Sequence, residues 1–387
     1  LLVQVPASAS PTTQDQALRR AAVAVGCYDE GTGEFRLVRE SLTERNMLLA
    51  TAPHYVQPLE CLVPLHSVWG GIAGSVARFL GLKAKLNDRG FLIAALGLTL
   101  YDLYGRALQS MPRHRMLRRR ALRRLMPAFA PAIAGAGVYY EGQITHAERL
   151  GLELVLDAEA ANPAARAETH AELLGANAGV LTWRSAQGVT RYARARVILN
   201  AGGAWIDAVN ARLGLDTQLM GGSRGSHLVV DNPALVQALA GRMVYFGTPD
   251  GRVNLLYPFA GKVLVGSTDI IQHDPDTAHC TAEEEAYLCA AVASVFPEIP
   301  IAPEQVLYRF CGVRPLPRAD GDIGLVTRDH SIATLLLPGL IALAVAARIA
   351  RREIPAVKSP NRLAAAELVV IVRGDQLMAP PLELVER

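Results

Sequence analysis

The chain has 387 residues, 39 of them basic and 36 acidic, and 51% of it is hydrophobic. That length allows two domains with real cores, and the hydrophobic share excludes a disordered polymer. A formal charge of +3 gives no general argument for nucleic acid.

Five cysteines, Cys27, Cys61, Cys280, Cys289 and Cys311, form no CxxC pair and stand at no metal-ligand spacing. This predicts buried free thiols in a reducing compartment. The opening "LLVQVPASASPTTQ" lacks the charged segment of a secretory signal. The longest apolar run, 335–347, contains Pro338 and is shorter than the about 20 residues a membrane-spanning helix needs.

In chain order, 35–50 repeats apolar residues at helical spacing, and 52–66 is proline-punctuated and extended. Residues 91–109 are apolar nearly all round, which predicts a buried helix. The run "RHRMLRRRALRRL" (113–125) carries seven arginines and reads as a helix, either solvated or turned toward an anionic membrane. The alanine-rich stretch 158–178 predicts further helix. "TRYARARVILNAGGAWIDAVNARLG" reads as strand, glycine turn and helix, with Gly214 at the C-terminal cap.

"GGSRGSHLVVD" (221–231) reads as a glycine loop leading into a strand. "RMVYF", "RVNLLYPF" and "KVLVGSTD" follow, with Asp250-Gly251 and Ala260-Gly261 at hairpin positions. This predicts an antiparallel meander. Residues 281–296 form a helix capped by Thr281 and Glu284, and 306–317 a strand running into a proline turn.

Several residues carry candidate chemistry. The strand–glycine–helix junction at Ala201, Gly202 and Trp205 suits either a dinucleotide or plain packing. Pro315 biases Arg314 toward an extended conformation, so its fork could meet a carboxylate or phosphate, with Gly312 leaving room beside it. Asp269 of "GSTD" could orient a basic partner or cap its own loop. His227 could act as a general base or be structural. Arg224 could hold an anion together with loop N–H groups.

Together, "GLTLYDLYG", "YYEGQ", "ARVILNAGGAWID", "MGGSRGSHLVVD", "LLYPFAGKVLVGSTDI", "YRFCGVRPLP" and "TRDH" resemble, in order, the FAD-dependent, quinone-linked glycerol-3-phosphate dehydrogenases of the D-amino-acid-oxidase-like flavoprotein superfamily. The resemblance implies an α/β fold with α+β elements. A FAD-binding Rossmann-like domain (1–50, 145–215 and 306–347), incomplete in this sequence, would interleave with an antiparallel-sheet substrate domain (51–144 and 216–305), leaving a divergent tail at 348–387. It assigns His227 and Arg314 to catalysis, and Arg224, Asp269 and Arg328 to substrate. Ala201, Gly202, Trp205 and Gly312 fall to the cofactor.

The implied reaction takes sn-glycerol 3-phosphate to dihydroxyacetone phosphate, through FAD to quinone. The setting it implies is cytoplasmic, on or near the inner membrane, with an anionic membrane surface or a second copy of the chain as further partners and no nucleic acid.

The sequence departs from the family pattern in two places. No GxGxxG motif is present, and Gln4 stands where the family pattern has an acidic residue. After "TRDH" no family motif is legible, so 331–387 reads as unrelated. Two alternatives therefore stay open: a catalytically silent relative that does not hold FAD, and a membrane- or partner-binding module built on 113–125.

Overall fold

The computed structural model describes residues 35–70, 90–104, 111–162, 165–178, 180–194, 197–248, 250, 252–318, 331–337, 340–346 and 368–372. The opening strand, Arg328 and "TRDH" lie outside the described residues.

Alternation of apolar and polar residues builds one large, mostly antiparallel sheet. Its first part comprises β1 (Val56–Leu65), β2 (Arg115–Arg118) and β3 (Gly135–Ile144). Its second part is the meander β8 (Ser223–Val230), β9 (Met243–Gly247), β10 (Val253–Phe259), β11 (Lys262–Gly266), β12 (Ile270–Ile271) and β13 (Val306–Arg314). The order is β12-β8-β11-β10-β9-β1-β3-β2, with β13 on β8. Because β11 and β13 both pair with 227–230, β8 lies between them.

The two parts meet at a parallel seam, Cys61 beside Met243 and Leu62 beside Val244. Glu60 and Arg242 close an ion pair across it at 2.7 Å. Ala260 and Gly261, at φ 45° and 73°, form the hairpin turn expected between β10 and β11.

One face of this sheet is the core. Leu228, Val230, Val244, Leu256, Val263 and Val265 are buried there. They are covered by α3 (Arg119–Leu125), α6 (Pro233–Leu239) and α7 (Ala282–Val295). Thr281 and Glu284 cap α7 in the expected box. On the opposite face, α1 (Phe35–Thr51) and α2 (Phe91–Tyr104) cover the β1–β3 end; Phe91 and Leu98 pack where Gly135 and Gly137 leave no side chain.

Two smaller sheets flank this one. β7 (Val197–Ala201) runs parallel to β15 (Leu340–Ala346) and β16 (Leu368–Val372), with β14 (Ser331–Leu337) antiparallel on β15. β7 leads through a glycine turn into α5 (Ile206–Arg212), and Gly214, at φ 82°, follows that helix. The third sheet is the meander β4 (Glu172–Asn177), β5 (Val180–Arg184) and β6 (Thr190–Arg194).

Three expectations are corrected. The helix anticipated over 158–178 stops early: α4 (Ala147–Ala161) ends at Asn162, which is extended (φ −133°, ψ 101°) as suits a residue before proline. Residues 172–177 then join a sheet, with Leu173 and Ala176 packed on Leu181. The arginine run is not one helix, because 115–118 pair with the edge of β3. Leu122 turns α3 into the core, Arg115 meets Glu60 at 2.9 Å, and Arg123 donates to the carbonyls of Phe129 and Ala130. Finally, "GGSRGSHLVVD" is strand from Ser223 onward and not a loop.

Phe296, fully buried, packs against Phe129 with ring centroids 5.0 Å apart and planes tilted by 52°. Phe296→Ala is expected to cost about 3–5 kcal/mol, read as a lower denaturation midpoint in urea.

Candidate active site

Period-two geometry sorts the residues of β8 onto two faces. Ser223, Gly225 and His227 share the face away from the core, while Arg224, Ser226 and Leu228 point inward. On β13, Phe310, Gly312 and Arg314 stand directly opposite His227, Gly225 and Ser223. The outward face therefore gathers His227, Phe310, Gly312 and Arg314.

Two glycines let the functional groups lie down on the sheet. A Cβ on Gly225 would come within 2.2 Å of Arg314 Nη2, and a Cβ on Gly266 within 2.1 Å of the His227 ring. Phe310 stacks on that ring, with centroids 5.2 Å apart and planes at 13°.

The turn from Ser267 to Asp269 holds the guanidinium. Arg314 donates to Ser267 Oγ at 2.7 Å, to the Thr268 carbonyl at 3.2 and 3.3 Å, and to Ser223 Oγ at 3.4 Å. It also pairs with Asp269 at 3.4 Å, and Asp269 accepts a hydrogen bond from Ser223.

Burial and the neighbouring Arg314 charge push the His227 imidazole down to about 4. Its Nδ1 is buried, and among the described residues no hydrogen bond of ordinary geometry reaches it; the Gly225 backbone favours the cation only in part. His227 is therefore neutral at pH 7.

The structure thus brings together His227, Arg314, Asp269 and Gly312. Arg224 is not among them: strand alternation turns it to the other face. There it meets Glu284 at 2.9 Å and Gln272 at 3.1 Å. Ala201, Gly202 and Trp205 sit at the end of β7. Asn200 ties that turn, accepting from Gly202 N–H at 3.0 Å and donating to the Ile206 carbonyl at 2.9 Å. Trp205 packs with Met220 and Val313 and donates to Asp276 at 2.8 Å, so the turn abuts the base of the site strands. A cleft of about 460 Å³ beside Trp205 is lined by Asp207, Met220, His273, Asp276 and Arg318. Its lining includes neither His227 nor Arg314.

Sequence reasoning missed Ser267, Thr268 and Phe310. The alternation of the "YRFCGVR" segment, extended from Arg314, would have placed Phe310 beside His227. The contacts of Ser267 and Thr268 carry no such sequence signal.

Residues 16–352 match the family described as FAD dependent oxidoreductase. The match continues through 331–352, overturning the expectation that everything after 330 is unrelated. A glycerol-3-phosphate dehydrogenase of Synechocystis sp. is 32% identical over 318 residues, covering 77% of this chain and 53% of its own. A D-erythritol 1-phosphate dehydrogenase of Brucella abortus is 32% identical over 313 residues, covering 77% and 55%. The solved glycerol-3-phosphate dehydrogenase from Bacillus halodurans, complexed with FAD, superposes with a TM-score of 0.55 at 21% identity, over 78% of this chain and 50% of its own. The chain spans about half the length of the curated relatives it matches.

Since the folded imidazole sits near 4 against an ordinary 6.5, its contribution to stability is full above pH 6.5. It is lost as pH falls toward 4, by on the order of 3 kcal/mol. Arg314→Met is expected to raise the His227 midpoint, followed through its Cε1 proton by NMR. An unchanged midpoint would mean that burial alone sets it.

Proposed function

Because the chain belongs to the FAD dependent oxidoreductase family, we propose that it oxidises the secondary alcohol of a small polyol phosphate, sn-glycerol 3-phosphate to dihydroxyacetone phosphate. The observation that carries this reading is a neutral imidazole and a fixed guanidinium on one sheet face. The relatives' names narrow the substrate to an alcohol bearing a phosphate.

The residues present fit a flavin. Gly266 and Gly225 let His227 and Arg314 lie down against the sheet, so that imidazole and guanidinium are presented from one surface. At the glycine turn after β7, Gly203 has φ 58° and, among the described residues, nothing within 4 Å of where a Cβ would stand, so the backbone admits close approach there. Ala201, Gly202, Trp205 and Gly312 would hold the cofactor. FAD, when bound, supplies the two-electron oxidant that takes the C2 hydrogen as hydride.

The chain's own residues do the rest. Arg314 binds the phosphate dianion through its planar fork and fixes the substrate's orientation. Asp269 and Ser223 keep that fork from swinging away. His227 takes the C2 hydroxyl proton at Nε2, because Nδ1 is sealed. Phe310 excludes water from one side of the ring.

In this reading the small parallel sheet around β7 belongs to the cofactor domain and the large sheet to the substrate domain. Quinone is the onward electron acceptor, reached at a membrane surface. Exposed Trp69, Leu92, Leu96 and Leu103 support peripheral attachment. Among the described residues no helix is long and apolar enough to cross a membrane.

Purified chain mixed with FAD and freed of excess should keep a flavin spectrum near ~450 nm that bleaches on adding sn-glycerol 3-phosphate. His227→Asn should retain the flavin and slow the bleaching by about 10²–10⁴-fold, and Arg314→Lys should mainly raise the substrate concentration required. A chain that keeps no flavin would instead be the silent relative.

A further inference from the structure

Beneath the site, on the core side of the large sheet, lies a carboxylate that the proposed reaction does not use. Glu284 is 3% exposed and its four hydrogen-bonding positions are filled. Oε1 accepts the hydroxyls of Thr268 at 2.6 Å and Ser226 at 2.8 Å. Oε2 accepts the Thr281 N–H at 3.0 Å and meets Arg224 Nη2 at 2.9 Å. Thr268, itself 1% exposed, also accepts the Ser226 N–H at 2.8 Å. Its own carbonyl, on the other side of the turn, receives both terminal nitrogens of Arg314.

We propose that Glu284 is a positioning residue for Arg314. Through the Thr268 hydroxyl it pins the 267–269 turn, and that turn holds the guanidinium where a phosphate ester would meet it. The functional consequence rests on reading Arg314 as the phosphate anchor; the mechanical link stands on the contacts alone.

Helix capping does not account for this carboxylate. Of its four partners the cap requires only the Thr281 N–H. Here one oxygen serves a strand and a turn across the sheet, and the other neutralises a buried arginine. A buried carboxylate tolerates little displacement, because any lost partner leaves charge unsatisfied in a poorly solvated place. Charge-assisted bonds of this kind are also the stronger ones. The position of Thr268 is thereby over-determined, and three consecutive residues, Ser267, Thr268 and Asp269, present their oxygens to Arg314 from that fixed point. Arg224, expected from sequence at the substrate, then acts as the counter-charge of the support.

The test compares Glu284→Gln, Thr268→Val and Thr268→Ser in the full chain. Thr268→Val keeps the branched shape, the Glu284–Arg224 pair and the cap but also orphans the Ser226 N–H, a loss that Glu284→Gln does not share; Thr268→Ser restores the hydroxyl. Two readouts are taken: the His227 Cε1 titration, which senses where the Arg314 charge sits, and calorimetric binding of inorganic phosphate. Glu284→Gln and Thr268→Val should both raise the His227 midpoint and weaken phosphate binding about tenfold. Thr268→Ser should match the unmodified chain, and Glu284→Gln combined with Thr268→Val should bind phosphate no more weakly than Glu284→Gln alone.

Wild-type midpoint and affinity in Thr268→Val, with Glu284→Gln lowering only the melting temperature, would overturn the proposal and leave Glu284 a helix cap. If the unmodified chain binds no phosphate, the functional reading fails, and the titration still decides the link between Glu284 and Arg314.

Discussion

Side chains on a strand alternate between two faces, and on β8 this period separates two kinds of chemistry. The outward residues are small or aromatic, Ser223, Gly225 and His227. The inward ones are a buried arginine, a buried serine and then pure core, Arg224, Ser226, Leu228 and Val230. A slip of one residue would exchange these sets. Arginine would then stand at the surface without its carboxylate, and histidine would enter the hydrophobic layer. The register with β11 and β13 prevents this, because both neighbours pair with the same four residues, 227–230.

The outward face works by subtraction. Removing side chains at Gly225 and Gly266 lets the bulky groups of the site recline over backbone, where they are partly desolvated and held from several sides. The inward face works by saturation. Glu284 gathers donors from a helix, a strand and a turn, so three elements agree on one point in space. Orientation on one side is thus secured by polar bonding on the other, with the sheet backbone as the stiff layer between them.

Much of this was legible in the sequence. The meander, its Ala260-Gly261 turn and the capping box at Thr281 follow from local signals whose causes lie within a few residues, whereas those signals leave His227, Arg314 and Asp269 as open candidates that receive site roles only by family resemblance. What was not legible depends on partners distant in the chain. Arg224 looked like part of a glycine loop because glycines 221, 222 and 225 surround it; pairing with Val313 and Ile270 makes it strand. The arginine run had a helical composition, yet the free edge of β3 captured its first half. Thr268 gave no sign at all, since its hydroxyl matters only once α7 has docked.

The parallel seam between β1 and β9 has a bearing on how the chain is made. Glu60 and Arg242, which clasp it, are 182 residues apart in sequence. During synthesis β1 and β3 can zip together soon after they emerge, but one edge of that ribbon stays bare until β9 has left the ribosome. Unpaired edges are where nascent chains stick to each other. Strand β1 carries prolines at 58 and 64, residues that obstruct pairing by strangers at those points. The order of the gene thus leaves this ribbon waiting, and proline is the guard it carries meanwhile.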